Sequence, residues 1–450
     1  MDKIKAKPIE KIKNILIVLL TLSMLVLAVI YIGGSQLMSN RAAINTADMP
    51  SGAVKAGSAD TSADPIHEKK LLAVSYVGIR YSEKVGGAYG SESASDALVA
   101  FAKEQIHAML SSDSRLTPST REDFIEATTG DFIYISLASP LPYQAIYALC
   151  GEYVGAASSS HAANADKMLI TFDVYGNSKL RLSDGTKFYT ATKSANLSLT
   201  EIATLAGDSR LMPFSITENG IAISSASPKM QRLSIKENTP LDTKQQGELL
   251  FTLGYNPESI PMAAIEEASI SAVSPLGSLT VTADGINYTA ALDSGIPMSD
   301  FMPAAKNAVD IGMYDVLIAS VSLAESLRSI APDTLGGALS LCLSGIYHDS
   351  GVYTVALGLA DGGIVISGEA YPYFAKITAK SGRFESIDIR FLTVHKNNYT
   401  GSAFPSKWNF DYAASNADIK SFKLCYAPNT IPADDVSAEW HYTVIGGGEE

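Results

Sequence analysis

Histidine, cysteine and carboxylate side chains carry most proton transfer, nucleophilic attack and metal ligation, so their spacing is the first guide to chemistry. The six histidines stand at 67, 107, 161, 348, 395 and 441, with no two close in sequence. The patterns G-x-S-x-G, S-x-x-K, H-E-x-x-H and C-x-x-C are absent, as is a P-loop. His107 falls beside the apolar face of a helical pattern, the place of a surface or core-flanking residue. His348-Asp349 is the one histidine–carboxylate neighbour pair of note, and it falls in a Gly/Ser turn where aspartate serves turn geometry. Glu266 and Glu267 are adjacent, so they point apart on either regular element and read as a solvated face. Tyr371, Tyr373 and Phe374 surround Pro372 at a strand entrance; such aromatics stack on sugars or peptides, or pack a core edge. The pattern assigns no catalytic, cofactor-binding or metal-ligating residue.

Three cysteines, Cys150, Cys342 and Cys425, are too few for a disulfide scaffold. Cys342–Cys425 is the pair expected to share a domain, and burial of all three as small hydrophobes is the competing expectation. The sequons at Asn196, Asn287 and Asn398 are expected by chance in a chain rich in Asn, Ser and Thr.

The elements that would position these residues predict an α+β fold. LLAVSYVGI, from Leu71, reads as a strand ended by the Gly-rich KVGGAYG. A helix over 95–110, capped by Ser93 or Ser95, places Leu98, Phe101, Ala102, Ile106, Met109 and Leu110 on one face. DFIYISLA is a strand. MLITFDVY, SKLRLS and TKFYTAT, joined at Gly176-Asn177 and Asp184-Gly185, predict an antiparallel meander. The helix LTEIATLA closes a first domain, 71–207. A second, 208–333, holds the strands IAISS and RLSIK, a helix over QQGELLFTL, and a hairpin turning at Asp284-Gly285. It ends in a helix with Val316, Leu317, Ser320, Leu323, Ala324, Leu327 and Ile330 on one face, stopped by Pro332. A third, 334–446, is strand-dense: ALSLCLSGIY with VYTVALGLA, then YFAKITA turning at Ser381-Gly382 into FESIDIRFL, then KSFKLCYA and EWHYTV.

Residues 15–32 form an 18-residue run whose polar interruptions are Thr21 and Ser23, and no charge occurs between Asn14 and Asn40. Spanning hydrocarbon takes about 20 apolar residues, and a signal-peptide core about 7–15. The run therefore predicts an uncleaved transmembrane helix over 14–33 in preference to a cleaved leader. Lys3, Lys5, Lys7, Lys11 and Lys13 lie before it, so 1–13 is expected to be a basic cytoplasmic tail and the bulk to be extracytoplasmic. The lipid bilayer is then a partner of the tail as well as of the helix. Thr21 and Ser23 could bond a partner helix or their own backbone. Residues 34–70, rich in Ala, Ser, Gly, Asp and Thr, read as a flexible linker. The chain carries −13, of which the tail contributes +3, so the remaining −16 argues against nucleic acid as a partner.

GSLTVTADGINYTA, GVYTVALGLADGGIVI followed by YFAKITAKSGRFESIDIRFL, and SFKLCYAPNTIPADDVSAEWHYTV carry a resemblance to the YycH/YycI family, on its YycH-like side. Trp440 stands at the family's closing tryptophan; Glu439, where a proline is expected, and the long 34–70 linker depart from the pattern. The resemblance implies a non-catalytic, single-pass regulator in Gram-positive bacteria, acting on the WalK/WalR two-component system that governs cell-wall turnover. Its implied partners are a WalK-like sensor histidine kinase and a second, YycI-like regulator. The alternative reading is an extracytoplasmic module binding wall fragments, peptides or another envelope protein. An envelope enzyme of unrecognised type stands third.

Overall fold

The computed structural model describes residues 71–152, 163–224, 229–259, 269–302, 311–368, 370–402 and 419–444, all within one compact unit, Ala63–Glu450. The architecture is α+β. The first sheet is built from β1 (Val74–Tyr81), β2 (Lys84–Tyr89), β3 (Leu116–Ser119), β4 (Phe132–Pro142), β5 (Asn164–Phe172), β6 (Ser178–Ser183) and β7 (Phe188–Ala191). Its seven strands are ordered β2-β1-β4-β5-β6-β7-β3. The meander forms as expected because its turn chemistry is local. The Asp173 carboxylate accepts from the backbone N–H of Tyr175 and Asn177 at 2.8 and 3.0 Å, and Asp184 does the same for Thr186 and Lys187 at 2.8 and 2.7 Å. Gly176 and Gly185 supply the left-handed positions.

Helix α1 (Asp96–Met109) lies against β1, β4 and β6, and all six expected core residues, Leu98 to Leu110, are buried. The five larger of these, all but Ala102, each contribute on the order of 1.5–3 kcal/mol when buried. Three shorter helices, α2 (Arg121–Glu126), α3 (Tyr143–Cys150) and α4 (Leu199–Ala206), complete this half.

The Gly-rich KVGGAYG does not end the first strand; it is the edge strand β2, antiparallel to β1 with Val77 opposite Ala88. The glycines admit neighbours that side chains would displace. A Cβ on Gly87 would meet the Tyr76 hydroxyl at 2.2 Å, and one on Gly86 would meet Leu211 at 2.7 Å.

The chain continues through the small hairpin β8 (Phe214–Ile216) and β9 (Ala222–Ser224), strand β10 (Lys229–Lys236) and helix α5 (Thr243–Thr252). The strands β11 (Ile270–Ser274), β12 (Gly277–Val281), β13 (Gly285–Ala290) and β14 (Ile296–Pro297) precede helix α6 (Met313–Ile330). The remainder is β15 (Ser340–Asp349), β16 (Val352–Asp361), β17 (Ile364–Ile366), β18 (Ala375–Lys380), β19 (Arg383–Arg390), β20 (Thr393–Ser402), β21 (Ile419–Tyr426), β22 (Ala433–Val436) and β23 (Ala438–Val444). An eleven-stranded sheet follows the path β11-β12-β13-β19-β18-β16-β17-β21-β23, with β14 on β19 and β15 on β16. It is antiparallel except where β17 meets β21. Strands β10, β20 and β22 form a separate three-stranded sheet. Residues on both sides of position 333 therefore share sheets, through β13–β19 and β10–β20 pairing.

Helix α6 packs on β16 and β18, and Val316, Leu317, Leu323, Ala324 and Leu327 are all buried. Two hairpins turn at Ser350-Gly351 and Ser381-Gly382, each pair with positive φ, the backbone that matches strand twist in a two-residue loop. The first differs from expectation: His348 and Asp349 lie in β15, opposite Tyr353 and Val352, and the turn is Ser350-Gly351 alone. Strands β17 and β20 are not marked by the sequence patterning; β17 joins β16 to β21, and β20 pairs with β10.

The two large sheets approach backbone to backbone at Gly90 and Gly363, where a Cβ on either would meet the Val74 carbonyl at 1.8 or 2.1 Å. The backbone also ties them, Leu343 N–H donating to the Leu71 carbonyl at 2.9 Å.

Candidate functional site

The calls that rest on residues 1–70, namely the tail 1–13, the helix 14–33 with Thr21 and Ser23, and the linker 34–70, lie outside the described residues. Among the described residues no helix is long and apolar enough to cross a membrane. His67, His161 and the Glu266-Glu267 pair also lie outside them.

The sequence-marked residues that are described do not converge. The His107 ring stacks on Tyr147 at 4.4 Å with an interplanar angle of 4°, flanking the core of α1 and α3. His348 stacks on its cross-strand neighbour Tyr353 at 4.2 Å on the exposed end of a hairpin. All three cysteines are buried, and none forms a disulfide. Cys342 and Cys425 share a small apolar cluster with Ala73, Ala360 and Val365, and burial pushes the Cys342 thiol up to about 12. No group of three or more His, Cys, Asp or Glu side chains among the described residues is placed to hold a metal ion.

The strongest concentration of charge in the interior is one the sequence does not mark. Asp166 and Lys167 are successive residues of β5, yet both side chains are no more than 3% exposed. Strand neighbours point to opposite faces, so both can be buried only because β5 is covered on each side. The Lys167 ammonium donates to Asp166 Oδ1 at 3.1 Å and to the Lys420 carbonyl at 2.8 Å. From β21, Lys423 reaches Asp166 Oδ2 at 2.8 Å and the Ala138 carbonyl at 3.0 Å. Burial alone would raise the Asp166 carboxyl, but the two ammonium groups hold it down at about 2. The three side chains fasten β5 of the first sheet to β21 of the second.

Around this fastening the sheets enclose a cavity of about 20 Å³, lined by Tyr76, Tyr89, Tyr134, Lys167, Lys423 and Trp440. That is room for about one water molecule, not for a substrate. Trp440 stacks on Phe422 at 4.7 Å and meets Tyr89 edge-on at 5.9 Å, so the tryptophan singled out in the sequence joins β21 and β23 to β2.

The far face of the eleven-stranded sheet is open. Cross-strand register aligns Ser278, Thr289, Ser386, Thr378, Thr354 and Tyr347 in one row over β12, β13, β19, β18, β16 and β15. A second row places Thr280, Asn287, Asp388 and Lys376 beside it. At one end this face deepens into a groove of about 400 Å³ between Asn287, Arg390 and Tyr371. Tyr371 and Phe374 are buried, while Tyr373 lies half-buried under Arg390 at the groove edge. The arrangement offers hydroxyl, amide and charged groups for binding.

No protein-family model matches the chain, and no curated protein matches it. Among solved structures, the crystal structure of YycH from Bacillus subtilis is similar over 84% of this chain and 95% of its own, with a TM-score of 0.50 and 11% identity. An uncharacterized protein from Eubacterium rectale matches over 49% of this chain and 79% of its own, with a TM-score of 0.30 and 11% identity. Over most of its length the chain thus has a YycH-like fold.

Proposed function

We propose that this chain is a non-catalytic, single-pass regulator of a cell-envelope sensor histidine kinase of the WalK type. The observation that supports it is the YycH fold, which extends over 84% of the chain and agrees with the resemblance carried by the sequence motifs. In this reading the basic tail is cytoplasmic, residues 14–33 cross the membrane, and the folded part faces outward. The contact with the kinase is made in the bilayer, where Thr21 and Ser23 face the partner helix, and outside it. A bound helix sets kinase output if it favours one of two kinase states by a few kcal/mol. A second, YycI-like regulator is the other partner of such a complex.

The test is in-membrane crosslinking and co-purification of the full chain with the host's WalK-type kinase. A version whose residues 15–32 are replaced by an unrelated spanning helix is run beside it. Kinase recovered with the native helix and lost with the replacement supports the reading and puts the contact in the bilayer. Recovery with neither version overturns it in favour of the second reading, an extracytoplasmic binding module. The polar groove on the open sheet face is what favours that second reading.

A further inference from the structure

The groove at the end of the open sheet face contains a cation with little to hold it. The Arg390 guanidinium lies 4.6 Å over the Tyr373 ring, and its one hydrogen bond among the described residues is a long one, 3.4 Å, from Nη2 to the Tyr373 hydroxyl. A guanidinium has five N–H donors in a planar fork suited to a carboxylate. Among the described residues no carboxylate lies within ion-pair distance of it. The Tyr373 hydroxyl instead donates to Asp388 Oδ2 at 2.6 Å, which holds the ring beneath the fork and leaves Asp388 Oδ1 available. Opposite Arg390 in the neighbouring strand stands Gly285, which brings no side chain to the groove beside it. That glycine is required, because a Cβ there would meet the Ile389 carbonyl at 2.1 Å.

The charges around Arg390 select the ligand. Asp388 and the exposed Asp284 line the same groove, as do Thr280 and Asn287. Two carboxylates beside the fork disfavour a simple anion, and the guanidinium disfavours a simple cation. A ligand carrying both charges satisfies both. The spacing agrees: Arg390 and Asp388 are two residues apart on β19, which is about 7 Å along an antiparallel strand. An extended dipeptide spans about the same length between its ends. A groove of about 400 Å³ is ample for it.

We propose that this groove binds a zwitterionic ligand of the amino-acid or short-peptide class. The carboxylate lies on the Arg390 fork and the ammonium group on Asp388, with Asn287 and Thr280 level with it on the neighbouring strands. This deepens the second reading, that of a binding module, and is separate from the kinase contact. Dipeptide titration tests the groove and kinase co-purification tests residues 15–32, so either can fail alone.

The experiment is calorimetric titration of the full-length protein with free Ala-Ala dipeptide, N-acetyl-Ala-Ala, Ala-Ala amide and N-acetylglucosamine. Binding of the free dipeptide is expected, with a loss of roughly tenfold or more on capping either end. Arg390→Gln is expected to abolish binding, and Arg390→Lys to keep part of it by retaining the charge without the fork. The capped ligands probe both charge contacts on the unaltered protein, so the test survives a variant that fails to fold. No binding of the free dipeptide, equal binding of the capped forms, or unchanged binding by a folded Arg390→Gln protein overturns the proposal. So does N-acetylglucosamine binding as tightly as the dipeptide, which would assign the groove to neutral sugars.

Discussion

The Asp166–Lys167–Lys423 cluster and the Asp388–Tyr373–Arg390 cluster use nearly the same chemistry in opposite surroundings. The first is sealed between two sheets, and each of its three charges has an opposite charge and a backbone carbonyl within reach or an ammonium group on either side. The second lies half-buried at the lip of a groove, where the guanidinium keeps most of its donors for something outside the fold. Burial explains the difference. A charge removed from water must be fully paired or it destabilises the fold, whereas one at a groove edge can wait for a ligand with water in its place. Similar residue types thus serve as a fastening in one region and as a recognition surface in the other.

The comparison breaks most visibly at Asp166. Replacing it by Asn leaves two buried ammonium groups without a counter-charge, and a loss of about 3–5 kcal/mol in denaturant unfolding is expected. A loss under about 1 kcal/mol would mean that the cluster does not hold the sheets together. The pH dependence comes next. The Asp166 carboxyl stands at about 2 in the fold, against an ordinary value of about 3.9 in the unfolded chain. Its contribution is therefore complete above about pH 4 and fades as the pH falls from there toward 2, a total of about 2–3 kcal/mol. Lys167, whose ammonium is disfavoured by burial, stays charged throughout that acid range and adds no slope to it. Acid titrations of unfolding free energy should show a shallower limb for Asp166→Asn than for the unaltered protein. Identical limbs would assign the slope to exposed carboxylates such as Asp113 and Asp208.

Lys423→Met should cost less, about 1–3 kcal/mol, because Lys167 remains on Asp166. It should also be strongly non-additive with Asp166→Asn in a double-mutant cycle. On the open face the effects on stability shrink. Tyr373→Phe removes the hydrogen bond to Asp388 but keeps the ring under Arg390, so a melting experiment should register about 1 kcal/mol or less. A loss as large as that at Asp166 would show that this cluster, too, is a fastening. Smallest of all is His348→Ala at the hairpin end, expected within about 0.5 kcal/mol of the unaltered protein.

Legibility in the sequence followed the range of the interactions. The meander β5–β7, the hairpin turning at Ser381-Gly382 and the amphipathic helices α1 and α6 were readable because Asp, Gly and apolar residues a few positions apart set them. The strand β2 was not, because its glycines make a poor strand until Tyr76 and Leu211 lie across them. The turn expected across His348-Asp349-Ser350-Gly351 narrowed to its last two residues, because of these four only Ser350 and Gly351 take the left-handed backbone. Neither charge cluster was legible. Asp166-Lys167 looks like an ordinary solvated pair, and nothing nearby in the chain announces that Lys423 will meet it.

By itself the sequence determined the α+β class, the hairpins and amphipathic helices, and an 18-residue apolar run at 15–32 preceded by lysines. These depend on period, turn chemistry and composition, which act over a few residues and need no partner. Tertiary structure alone decided that β10 pairs with β20, that Lys423 closes on Asp166, and that Gly285 stands opposite Arg390. Those outcomes depend on which faces are covered when distant strands meet. Burial, and with it the difference between a structural charge and a waiting one, belongs to the folded chain and not to any stretch of it.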